Sequence, residues 1–144
     1  SPPTLGPFMA ALIYLADPES PDTPSPAHPS ALLESTGEYW FLYRYFEAAN
    51  LHRNNELIDL YGGGTIEGYQ LHRLQCELEQ ALLDVKAKPE SWNVLVGWSG
   101  EERSVESEDW RTVTKRAMLA LISSLLELVY YSTRTQLKLV TSGD

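Results

Sequence analysis

Residues 8–16, FMAALIYLA, decide the fold. The run is continuously apolar and stands between Pro7 and Pro18. A stretch that short, fenced by residues that break helices, reads as a buried β-strand. Were it helical, and were QLKLVT at 136–141 helical too, the chain would become an all-α bundle. Read as strands, these two segments commit the chain to a sheet that the intervening helices must cover.

Moving outward, DPESPDTPSPAHPS (17–30) carries five of the nine prolines. Proline removes backbone donors and enforces extended conformations, so a surface loop with polyproline character is expected over about 17–36. Glu38 to about Asn50 then reads as a helix capped by Thr36 or Gly37. It concentrates six of the fifteen aromatic side chains between Tyr39 and Phe46. At 100° per residue most of them share one arc with Leu42 and Ala49, opposite Arg44 and Glu47. Trp40 falls on the polar side, where Arg44 at i+4 is within stacking reach.

Residues 56–61, ELIDLY, form a possible short strand that Gly62, Gly63 and Gly64 end. A second helix is expected from Gly68 to Lys86, with Leu71, Leu74, Leu78, Ala81, Leu82 and Val85 on one face. Lys86 and Lys88 suit its negative end and Pro89 stops it. Tyr69, Cys76 and Leu83 make a minor stripe at heptad spacing on a flank, suited to packing against the aromatic helix, with contact to a partner as the alternative. Trp92 to Trp98 (WNVLVGW) alternates cleanly and is β-branched and aromatic, hence a strand. A third helix is expected to start near Ser107, with Glu108 and Asp109 at its positive end, and to run to about Ser132.

Alternation of strand and helix points to right-handed crossovers and parallel pairs. The expected fold is therefore α+β in two layers: three helices on a small mixed sheet of three to four strands. At 144 residues one domain is expected, spanning 1–144.

The net charge of −9 argues against nucleic acid and against an anionic membrane surface, both of which need clustered Lys and Arg. It suits a basic protein partner, whose approach an acidic surface accelerates. The longest apolar stretch, 118–131, holds Ser123, Ser124 and Glu127 and is too short and too polar to cross a bilayer. One cysteine, Cys76, leaves no intramolecular disulfide, and no signal peptide precedes the first apolar run, so a cytoplasmic location is expected.

No catalytic motif emerges. Tyr61-Gly62-Gly63-Gly64-Thr65 lacks the Gly-Lys-Ser/Thr ending of a phosphate loop, and no lysine precedes Lys86. Ser99 follows a strand, but Gly97-Trp98-Ser99-Gly100 is not a nucleophile elbow. His28, His52 and His72 are scattered, and a metal needs three or four convergent ligands. No catalytic residue, cofactor or metal is assigned. Two binding candidates remain. One is the acidic run with Glu101, Glu102 and Glu106, for which a solvated loop is the bland alternative. The other is Trp40 with Arg44, which equally suits an intramolecular role under the proline loop.

Glu38-Tyr39-Trp40-Phe41-Leu42-Tyr43, residues 57–62 (LIDLYG), Trp92-x-Val94-x-Val96-Gly97 and the terminal Gly143-Asp144 resemble a group of small bacterial proteins. These are the immunity-type proteins encoded beside secreted polymorphic toxins. The resemblance covers residues 38–144 and rests on apolar and turn positions. It implies a non-enzymatic inhibitor that binds a toxin domain, and it carries no catalytic residue. The alternatives are a small hydrolase or transferase using His52, Asp59, His72 and Ser99 near the strand ends, or a homo-oligomeric structural subunit.

Overall fold

The computed structural model describes residues 10–17, 19–20, 24, 30–34, 37–49, 52–53, 56–57, 64–98, 108–135 and 137–143. The apolar run between Pro7 and Pro18 contains a strand, β1 (Ala10–Ala16). It pairs antiparallel with β2 (Ser30–Glu34) on one side and with β8 (Lys138–Gly143) on the other. β5 (Gly64–Ile66) adds to the far edge of β8, giving the order β2-β1-β8-β5. A hairpin of β6 (Ser91–Trp98) and β7 (Glu108–Thr114) stands apart, as does the two-residue pair β3 (His52–Arg53) and β4 (Glu56–Leu57).

The three expected helices are α1 (Gly37–Ala48), α2 (Tyr69–Lys86) and α3 (Lys115–Arg134). The α+β class therefore holds. The pairing differs: every pair among the described residues is antiparallel. Parallel neighbours require a crossover helix whose flanking strands share a sheet. Here α2 joins β5 to β6 and α3 joins β7 to β8, and each helix carries the chain from one sheet to another.

Three local readings are corrected by the same pairing. The expected proline-rich loop ends earlier, because Ala31 and Leu33 turn inward and pair as β2 with Leu33 and Leu32 opposite Ala11 and Leu12. Gly64 does not end a strand but opens β5. Residues 108–114 are β7 rather than the start of α3. Thr112, Val113 and Thr114 are β-branched and give β6 a partner, which outweighs the capping signal at Ser107. The cap is instead Thr114, whose Oγ1 accepts from the Ala117 N–H at 3.2 Å. At the start of α2, Gly68 has φ +60 and ψ −128, a conformation essentially reserved for glycine.

One core joins the layers. Ile13, Leu15, Leu33 and Leu139 face Leu74 and Leu78 of α2 and Leu125 and Val129 of α3, with Phe46 of α1 alongside. The opposite face of β1 and β8 is buried as well, through Tyr14, Ala16 and Val140. α1 packs on both strands of the hairpin and on α2 and β2, so it is the element that ties hairpin to core. Among the described residues no helix is long and apolar enough to cross a membrane.

Candidate binding groove

α1 spends its aromatic face on two neighbours. Tyr39, Leu42 and Phe46 enter the core, and Phe41 turns toward the hairpin, where its ring meets that of Trp92 at 5.4 Å and 65°. Between these elements lies an open groove of about 280 Å³. Trp40, Phe41 and Arg44 of α1 form one wall. Trp92, Asn93 and Val94 of β6 form the other, and Lys88, just past the end of α2, closes one side.

Its two cations are held by rings. The Arg44 guanidinium lies 4.7 Å from the centroid of Tyr45 and 5.4 Å from that of Phe41. The Lys88 ammonium lies 5.6 Å from Trp92 and 6.0 Å from Phe41. Each contact draws on the negative face of an aromatic ring. The ring partners of Arg44 are thus Phe41 and Tyr45 rather than Trp40. Trp40 packs edge-on against Tyr39 at 4.8 Å and tilted against Tyr43 at 5.7 Å.

Behind the groove a chain of hydrogen bonds fixes Arg44. Its Nη2 donates to the Tyr45 hydroxyl at 2.6 Å, and that hydroxyl donates to Asp84 Oδ2 at 2.5 Å. Gln80 Nε2 donates to the other Asp84 oxygen at 2.9 Å. Burial, reinforced by the bond to Asp84, pushes the Tyr45 hydroxyl up to about 12. The bonds from Tyr45 and Gln80, with Arg44 and Lys88 nearby, hold the Asp84 carboxyl below its ordinary value.

The signs of these shifts set a pH dependence. Asp84, lowered in the fold, contributes stability above its ordinary value of 3.8, lost as pH falls through the lowered one. Tyr45, raised in the fold, contributes stability below 10, lost as pH climbs from 10 toward about 12. Tyr45→Phe is expected to cost about 1 kcal/mol at pH 7. Denaturant midpoints across pH should show its alkaline decline between 10 and 12 shallower than that of the wild type. An unchanged alkaline slope would remove Tyr45 as the titrating group.

Trp92 contributes one more feature. Its Nε1–H is buried and finds no hydrogen-bond partner among the described residues. A buried donor left unpaired costs about 1–3 kcal/mol.

Of the sequence-derived candidates, Trp40 and Arg44 come together in this groove. Glu101, Glu102 and Glu106 lie outside the described residues. So do Asp59, Ser99 and the side chain of His52, which leaves His72 alone of that set described. His72 is exposed on α2, its Nε2 3.8 Å from the sulfur of Cys76. Cys76 is exposed rather than packed, and Tyr69 and Leu83 are 70% and 60% exposed. The buried face of α2 is already filled by Leu71, Leu74, Leu78, Ala81 and Val85, which leaves that stripe outside. Among the described residues no cluster of three or more His, Cys, Asp or Glu is placed to hold a metal. Sequence reasoning missed Lys88 and Trp92 as partners of Trp40 and Arg44. The available signal was Pro89, which ends α2 and starts β6 within a few residues and so sets a cation beside an inward-facing ring. Comparison with protein-family models, curated proteins and solved structures finds no match for this chain.

Proposed function

We propose that this chain is a non-enzymatic protein-recognition domain that seats an anchor of its partner in the groove between α1 and β6. The groove itself carries this reading. Trp and Arg dominate binding hot spots, and Trp40, Trp92 and Arg44 line one concavity. A volume of about 280 Å³ falls just below the range of small-molecule and cofactor pockets and suits one or two protruding side chains. Arg44 is fixed beforehand by Tyr45 and Asp84, which lowers the ordering cost of binding.

The resemblance of residues 38–43, 57–62 and 92–97 to bacterial immunity-type proteins makes the particular reading an inhibitor of a toxin domain, acting in the cytoplasm. The charge of −9 suits a toxin surface that is basic overall and would speed its approach. The test reads the neighbouring genes and, where one encodes a secreted protein with a basic C-terminal domain, titrates that domain calorimetrically with the wild type, Trp40→Ala and Tyr69→Ala. Tyr69 sits at the other end of α2 from Lys88. Trp40→Ala is expected to weaken association at least about tenfold, the scale of a hot spot, and Tyr69→Ala to leave it unchanged. Equal affinity for all three proteins would exclude the groove; no association would exclude the inhibitor.

A further inference from the structure

We propose that the groove recognises an acidic–aromatic segment of the protein partner: a carboxylate meets Arg44 and Lys88 while a neighbouring apolar ring rests on Trp40, Phe41 and Trp92. This deepens the protein-recognition reading and rests on it.

The ligand that the groove takes is set by what its lining side chains can give. Arg44 and Lys88 are donors only. Trp40 and Trp92 carry indole N–H groups, again donors only. Asn93 is the one lining residue with an acceptor in its side chain, and its Oδ1 already accepts from Thr112 Oγ1 at 2.8 Å. That oxygen keeps a second lone pair, and the amide N–H2 donates. The polar side chains lining the groove thus offer mainly donors, and two of them are cations, of which Arg44 already has Asp84 Oδ2 at 3.9 Å.

A cationic ligand fails the same inspection. Aromatic walls can cage an ammonium, but the rings of Phe41 and Trp92 already carry Lys88, and Phe41 carries Arg44 as well. A third cation would meet two like charges. A bare polyanion such as nucleic acid would meet the repulsion of a chain with net charge −9. A short acidic segment escapes most of that repulsion. It brings one or two charges to a local positive site, and its apolar ring uses the remaining wall, which Val94 extends. The partner is then basic over most of its surface and acidic at the anchor. Long-range steering and local register come from charges of opposite sign. The Trp92 Nε1–H is buried, and its resonance will report a ligand seated against the Trp92 ring.

The test is an NMR titration of the ¹⁵N-labelled full chain, reading the indole N–H signals of Trp40 and Trp92. The probes are 3-phenylpropionate, 3-phenylpropylamine and inorganic phosphate. The carboxylate is expected to give saturable shifts with a Kd of about 1–10 mM, the range of a fragment of its size. Arg44→Gln and Lys88→Gln should each weaken it about threefold or more, and Tyr69→Ala should not. The amine and phosphate should give smaller, unsaturated shifts. Equal shifts from the amine would overturn the preference for a negative group. Equal shifts from phosphate would overturn the role of the ring, and no saturable shift from the carboxylate would overturn the site. Carboxylate binding with no toxin association would leave the site standing and remove the inhibitor. Toxin association lost in Trp40→Ala but unchanged in Arg44→Gln and Lys88→Gln would keep the inhibitor and remove the acidic anchor.

Discussion

Leu78→Ala is expected to lower stability by about 3–5 kcal/mol, the upper part of the range for a buried leucine. Leu78 is fully buried in the middle of α2. It borders a small apolar void of about 20 Å³ that Ile13, Leu33 and Leu139 of the sheet and Leu125 of α3 also line. Two helices packed on one face of the sheet, with Tyr14, Ala16 and Val140 buried on the other, leave little room for collapse, so the truncated side chain leaves most of its volume empty. Since whole domains are stable by only about 5–15 kcal/mol, one such change removes a large share. Urea unfolding should show a lower midpoint at unchanged slope. Leu78→Met, which keeps the volume, should cost less than about 1.5 kcal/mol. A loss under 1 kcal/mol for Leu78→Ala would mean that α2 does not seat Leu78 against the sheet as described.

What the sequence disclosed, and what it withheld, follows from the range of the forces involved. The strand at Ala10–Ala16 was legible because prolines fence it and its length forbids a long helix. α2 was legible because Leu71, Leu74, Leu78 and Val85 repeat at helical spacing and a local stop follows. Those are properties of neighbours in the chain. β2 and β7 were not legible, since five residues of SALLE or seven of EDWRTVT become strands only when β1 and β6 offer an open edge. Pairing partners also decide direction, which is why parallel neighbours were expected and antiparallel ones found. The groove divides in the same way. Trp40 and Arg44 share a helix, and their relation can be read from spacing. Lys88 and Trp92 reach them only because Phe41 and Trp92 bring α1 and β6 together.

Gly37→Ala should destabilise the protein by about 1–2 kcal/mol, against the ordinary sign of that change. Where the backbone admits both, alanine normally gains about 0.4–1 kcal/mol over glycine through a less disordered unfolded chain, and at Gly37, the first residue of α1, interior helix propensity adds little. Here a Cβ on Gly37 would stand 2.5 Å from Val113 Cγ1 and 3.3 Å from Arg111 Cβ. Val113 is buried, β-branched and stiff, and it is locked opposite Trp92 in the hairpin. It cannot swing away as a long side chain would, so the first turn of α1 must lift from β7. Overpacking of that kind costs about 1–3 kcal/mol and outweighs the gain. The contact is testable as a pair. Val113→Ala alone costs stability through the cavity that it opens. Added to Gly37→Ala it makes room for the new methyl group, so the double variant should be more stable than the sum of the singles by about 1 kcal/mol. Because Val113 lies opposite Trp92, Gly37→Ala should also shift the Trp92 indole resonance and weaken 3-phenylpropionate, and the double variant should restore both in part. Stabilisation by Gly37→Ala, or simple additivity with Val113→Ala, would show that α1 does not meet the hairpin at this point, and the groove built on that meeting would fall with it.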